Sequence, residues 1–150
     1  RVIDFYHREA PFYEFCNFYA SPVCIADRTW PTTEHYFQAS KFQDKTLQRR
    51  VQQCASPREA FNMARSMFNQ VRPDWEHGSK EDREPIKERV MYQALKAKFT
   101  QHPRLLVLLL STGNCLIREH TPNDTYWGDG GGNNAESGKN RLGVLLMRLR

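Results

Sequence analysis

Proline sets the punctuation of this chain, and with it the helix count. Proline breaks a helix interior but fits its first turn. In Ser56-Pro57-Arg58-Glu59, Ser56 can cap, Pro57 opens the turn and Glu59 completes a capping box. That helix is predicted to run to about Phe68. Trp30-Pro31-Thr32-Thr33 marks another start, with Thr32 as cap, a helix from Thr33 to about Phe42, and a further one over 45–54. Pro85 opens a helix with Ile86, Val90, Ala94 and Met91, Leu95, Phe99 on an apolar stripe. Pro103 opens a fifth over 105–110, closed by Gly113, whose near-continuous leucines imply burial on all sides. The chain ends on an amphipathic helix over 141–149. Residues 2–6 and 15–26 are aromatic and β-branched, and read as short strands and loops around a small sheet; 114–119 is a candidate strand. The expected fold is α+β: one domain over 1–150, mostly helical with a small β-sheet.

At 150 residues with 39% hydrophobic content, the chain can bury a core of its own. No apolar run approaches the roughly 18 residues of a membrane span. Lys and Arg number 22 against 17 Asp and Glu, a net charge of +5, which favours anionic partners. Cys16, Cys24, Cys54 and Cys115 show no C-x-x-C spacing, so free thiols in a reducing compartment are expected, cytoplasmic or nuclear. No signal peptide opens the chain, which begins at Arg1 without Met and reads as trimmed.

Four segments carry candidate chemistry. In Glu34-His35-Tyr36-Phe37-Gln38-Ala39-Ser40-Lys41, helical spacing places Glu34, Gln38 and Lys41 on one stripe. Among Trp30, Tyr36 and Phe37, a carboxylate can have a raised pKa and act as a general acid; the ordinary alternative is a solvated helix face. Asp124-Thr125-Tyr126-Trp127-Gly128-Asp129-Gly130 offers a stacking ring, acceptors for sugar hydroxyls at Asp124 or Asp129, and glycines permitting close approach; the alternative is a surface turn. Arg72-Pro73-Asp74-Trp75 joins two helices, with Trp75 either facing a ligand or plugging the core. In Phe15-Cys16-Asn17-Phe18-Tyr19, Asn17 either ties the backbone or reads a ligand.

The Walker and dinucleotide glycine patterns fail, since Asn133, Ala135 and Asn140 stand where they require other residues. The five histidines lack metal spacing. No cofactor is called for, and activity without a metal is expected.

Together these segments resemble the NADAR family (NAD and ADP-ribose associated), which includes the YbiA-like N-glycosidases. The resemblance runs from residue 5 to residue 148. It also takes in Lys98-Phe99, Leu110-Ser111-Thr112-Gly113 and Gly138-Lys139-Asn140-Arg141-Leu142-Gly143. Two departures are Cys16, where members often carry Ser, and a long insertion over 131–137 that would change which substrate fits. The resemblance implies hydrolysis of a base–ribose N-glycosidic bond. The substrate is either ADP-ribose on guanine in nucleotides, DNA or RNA, or a phosphoribosylaminopyrimidine of riboflavin synthesis. A non-catalytic reader of ADP-ribose or nucleic acid is the rival reading. No membrane and no obligate protein partner is implied.

On this reading Glu34 is the principal catalytic carboxylate. Asp124 binds sugar hydroxyls or steadies positive charge. Lys41 holds a phosphate or forms a Schiff base. Trp30, Trp75 and Trp127 stack on the base. Asn17, Tyr36, Gln38, Arg72, Tyr126, Gly128, Gly130 and Asn140 are the expected ligand contacts.

Overall fold

In chain order the elements are β1 (Val2–Phe5), a 3-10 turn (Tyr13–Phe15), β2 (Val23–Ile25), β3 (Arg28–Trp30), α1 (Thr33–Ala39), α2 (Lys45–Gln52), α3 (Pro57–Ser66), a second 3-10 turn (Phe68–Gln70), α4 (Ile86–Gln101), α5 (Pro103–Ser111), β4 (Leu116–Glu119) and α6 (Arg141–Leu149). The structure is a computed structural model and describes residues 1–132 and 137–150. The class is the expected α+β, with two two-stranded sheets in place of one. Two compact units form, one from Arg1–Tyr19 with His102–Arg150, the other from Ala20–Gln101. Among the described residues, no helix is long and apolar enough to cross a membrane, and all four cysteines are free thiols.

In the Ala20–Gln101 unit, β2 and β3 form an antiparallel hairpin pairing Val23 with Trp30 and Ile25 with Arg28. Its two turn residues, Ala26 and Asp27, both have positive φ (53° and 61°), the geometry of a two-residue hairpin turn. Trp30 is therefore the end of a strand rather than part of a helix start. Val23 and Trp30 join Ala39, Phe42, Leu47, Val51, Ala60, Ala64 and Met67 in one core cluster.

The caps are as predicted. Thr32 Oγ1 accepts from His35 N, and Ser56 Oγ accepts from Glu59 N. Glu59 reaches back to Ala55 N rather than Ser56 N. α1 ends at Ala39, three residues early, where the chain turns to bring Phe42 into the core. α2 and α3 likewise stop at Gln52 and Ser66.

His35 anchors α1 from inside. Its Nε2 faces the Cys54 carbonyl at 3.0 Å and so donates to it, leaving Nδ1 to accept from the Thr32 hydroxyl at 2.8 Å. This neutral ring is satisfied on both sides. Burial pushes its pKa below the ordinary value, against the opposing pull of the Cys54 carbonyl. The unfolded chain then takes up the proton first as pH falls. The stability His35 contributes is complete above the unfolded value near 6.5 and is lost as pH drops through the folded one. Thermal unfolding at pH 7 and pH 5 checks this: the fall in Tm should be smaller in His35→Gln, which lacks that titration.

In the other unit, β1 and β4 run parallel, Val2 beside Leu116 and Phe5 beside Glu119. α6 packs on β4, burying Leu142, Leu145 and Leu146. α5 departs from expectation: Leu105 and Leu109 are buried, but Val107 and Leu110 are more than half exposed. One i, i+4 stripe of a nine-residue helix faces inward, and a run of leucines fills every face alike.

Candidate functional site

Glu34 and Gln38 lie one helical turn apart and both are buried, at 7% and 3% exposure. Gln38 Nε2 donates to Glu34 Oε1 at 2.8 Å. That bond fixes the orientation of the Gln38 amide and leaves its Oε1 buried without a hydrogen bond among the described residues. A buried acceptor left unpaired costs about 1–3 kcal/mol, and such a cost is typically retained where a ligand donor completes the group.

Lys41 does not continue the helical stripe. It lies in the turn after α1, its N–H donating to Gln38 O at 3.3 Å. It is half-buried, with Nζ 5.9 Å from the centre of the Phe37 ring. Burial pushes its pKa below that of an ordinary lysine. The Glu34 and Glu76 carboxylates pull it back up, and Lys87 pushes it down.

Lys87 is buried and ion-paired to Glu76. Sequence reasoning missed both residues. The available signal was Lys87 itself: with Met91, Ala94 and Lys98 it occupies a buried stripe of α4, where helical periodicity calls for apolar residues.

The Arg72-Pro73-Asp74-Trp75 segment is tied to this cluster, since Arg72 N donates to Lys41 O at 2.8 Å. The Arg72 guanidinium grips both Asp74 oxygens, at 2.6 and 3.0 Å, and holds the Asp74 carboxyl below its usual range. Trp75 packs on Phe37 at 5.1 Å and is 3% exposed, so it plugs the core and offers no open face for a base.

Tyr36 points the other way. At 100° per residue it stands roughly opposite the Glu34–Gln38 stripe. Tyr36, Trp30 and Arg72 line one cavity, whose lining does not include Glu34. Trp30 is 3% exposed, covered by Arg28 on one face and by the Tyr36 edge. It too is core rather than a stacking platform.

In the other unit the 124–130 loop largely satisfies itself. Asp124 Oδ1 accepts from Tyr126 N and Trp127 N, at 2.9 and 2.8 Å, and Asp124 O accepts from Gly130 N. Asp129 is buried, accepting from Thr121 N and Gly131 N and pairing with His120 Nδ1 at 2.7 Å, so it braces the loop. Gly128 and Gly130 do admit a close approach, but of the protein's own backbone: a Cβ on Gly128 would lie 2.7 Å from Asp124 O. Tyr126 and Trp127 are half-buried and meet edge to face at 4.9 Å. Asn17 is half-buried in the turn after Tyr13–Phe15. Cys16 Sγ donates to Tyr6 O at 3.4 Å, a bond a serine hydroxyl could also make.

Asn140, an expected ligand contact, turns its amide to the protein's own backbone. Both ends of its amide serve the backbone of β4, Oδ1 accepting from Glu119 N at 3.0 Å and Nδ2 donating to Ile117 O at 2.9 Å. Asn140→Ala leaves both backbone groups unpaired and is expected to cost about 2 kcal/mol of stability. Denaturant unfolding measures this; a loss of ligand affinity at unchanged stability would refute the structural role. The expected insertion lies partly outside the described residues, at 133–136.

The family model for the NADAR domain matches residues 4–150. The chain belongs to the NADAR family. This NADAR chain is 46% identical over 149 residues to N-glycosidase YbiA of Shigella flexneri, covering 99% of the chain and 86% of that protein. Its fold matches the NMR structure of Escherichia coli YbiA with a TM-score of 0.85 at 45% identity, covering 99% of this chain and 82% of that one. It is also 38% identical over 164 residues to a chloroplastic riboflavin biosynthesis protein, PYRR of Zea mays, covering 99% of this chain and a quarter of that protein. N-glycosidase activity is thus found in the family. Among the described residues of this NADAR chain, no group of three or more His, Cys, Asp or Glu comes together as a metal site.

Proposed function

We propose that this chain is an N-glycosidase that removes ADP-ribose from guanine, with Glu34 and Lys41 at the reacting carbon. The observation that carries the reading is a half-buried lysine, its ammonium form disfavoured by burial, beside the buried Glu34–Gln38 pair. A lysine so placed can serve as a nucleophile. The net charge of +5 suits a diphosphate substrate.

Where the scissile nitrogen is an exocyclic amine, the sugar opens to an imine at its first carbon. The neutral Lys41 amine adds to that carbon. Glu34 gives a proton to the departing nitrogen, which leaves as the free base amine with the electrons of the broken bond. Water then adds to the Lys41 imine and releases the sugar as an aldehyde, restoring the lysine. The unpaired Gln38 Oε1 accepts from a hydroxyl or amino group of the substrate.

The relatives named for riboflavin biosynthesis favour the second substrate that the resemblance implies, a phosphoribosylaminopyrimidine, to which the same steps apply. Mass-spectrometric release from each substrate tests both. Free ADP-ribose from a guanine-ADP-ribosylated oligonucleotide is the expected result. Cleavage of the pyrimidine alone moves the activity to the second substrate. Binding without release from either leaves a non-catalytic reader.

A further inference from the structure

The face of α1 opposite Glu34 borders a cavity of about 540 Å³, within the range of small-molecule sites. Its lining holds four cations, Arg28, Lys45, Arg72 and Arg89, and no carboxylate. Arg72 is neutralised by Asp74, and Arg89 by Asp82 and Glu84. Arg28 and Lys45 have no ion-pair partner among the described residues.

Arg28 is held in a built cradle. Its Nη1 donates to Gln48 Oε1 at 2.8 Å and its Nη2 to Gln52 Oε1 at 3.2 Å. Those two amides are locked in turn, Gln48 Nε2 donating to Phe42 O and Gln52 Nε2 to Thr29 O. The guanidinium carbon sits 4.6 Å from the centre of the Trp30 ring. Glutamates at 48 and 52 could also accept from Arg28, but they would lose the bonds to Phe42 O and Thr29 O and cancel the charge. Glutamines pin it and leave the charge intact. A guanidinium pre-organised in this way pays little ordering entropy when it meets an anion, and its planar fork matches phosphate oxygens.

We propose that this cleft binds phosphate groups, with Arg28 and Lys45 as the charge-bearing contacts. The ligand chemistry is a pyrophosphate or a phosphodiester, from a free nucleotide or from a nucleic-acid backbone. The inference goes beyond the glycosidase reading and stands without it, because it concerns binding on the other face of the helix.

Heteronuclear NMR titration of the wild-type chain tests it, with inorganic pyrophosphate and a ten-nucleotide oligothymidylate as separate probes at low salt. Saturable shifts of the amides in 28–30 and 43–48 are expected with at least one probe. Pyrophosphate alone identifies a nucleotide source. The oligonucleotide alone identifies a polymer backbone, and its salt dependence should then flatten by about one phosphate in Lys45→Glu.

Lys45→Glu is expected to weaken binding about tenfold or more. Lys45 is the exposed first residue of α2, where a carboxylate suits the helix end, so this variant should fold. Arg28→Lys keeps the charge but loses the fork, and should weaken binding while the melting curve stays cooperative. Absence of shifts with both probes overturns the proposal, as does equal affinity in wild type and Lys45→Glu.

Discussion

Glu34→Gln is expected to lower kcat by roughly 10²–10⁴ while the chain folds as before. The factor is the usual worth of one positioned proton-transfer group, about 3–5 kcal/mol of barrier. The fold should survive because the substitution is isosteric at a buried position. The carbonyl oxygen of the substituted amide can still accept from Gln38 Nε2, the bond that holds the two side chains together. Glu34→Ala is the contrast. It removes the acceptor, leaves the Gln38 amide unpaired at both ends, and should cost stability as well as rate. Single-turnover cleavage with a melting curve for each variant separates the two effects. If Glu34 only orients a ligand, Glu34→Gln will raise KM and leave kcat near wild type, and that outcome would remove Glu34 from the proton transfer.

Much of the helical frame was legible because its signals are local. The Thr32 and Ser56 caps lie within three residues of the amides they satisfy, and proline marks where several of the helices begin. The β2–β3 hairpin was hidden because its turn is Ala26-Asp27, with neither the glycine nor the asparagine that usually marks positive φ. The parallel pairing of β1 with β4 joins the two ends of the chain and leaves no local trace.

The site divides in the same way. Glu34 and Gln38 were readable because one turn of helix fixes their proximity. Lys41 was placed on the same stripe, yet it lies in the turn after α1 and feels the Glu34 charge from there. The segment around Gly138, Asn140 and Gly143 was legible as a pattern, and its structural part is packing. Asn140 extends the hydrogen bonding of β4, and a side chain on Gly143 would overlap the Ile117 carbonyl, so the pattern records close packing of α6 on β4. The Lys87–Glu76 pair brings together a helix and a preceding loop, which spacing alone does not reveal.

Lys41→Arg is expected to abolish both turnover and the covalent adduct, by at least about 10³ in kcat if the imine route carries the reaction. Arginine keeps the charge that would hold a phosphate but stays protonated, so it cannot form the imine. Borohydride added during turnover should trap the sugar on the wild-type chain as a discrete mass increase, absent in Lys41→Arg and Lys41→Ala. Sustained turnover in Lys41→Arg would reduce Lys41 to a phosphate contact.

The pH profile gives an independent reading with a fixed sign. Attack needs the neutral amine, so kcat/KM should rise with pH as Lys41 loses its proton. Burial places that acid limb below the range of an ordinary lysine. Lys87→Met removes a cation that pushes the Lys41 pKa down and leaves Glu76 uncompensated. Both changes favour the ammonium form, and the limb should move to higher pH. Glu76→Gln removes an anion that pulls it up, and the limb should move to lower pH. A structural role for the Lys87–Glu76 pair would lower stability in both variants without moving their limbs in opposite directions, so opposite shifts at Lys87 and Glu76 are the signature of a tuned nucleophile.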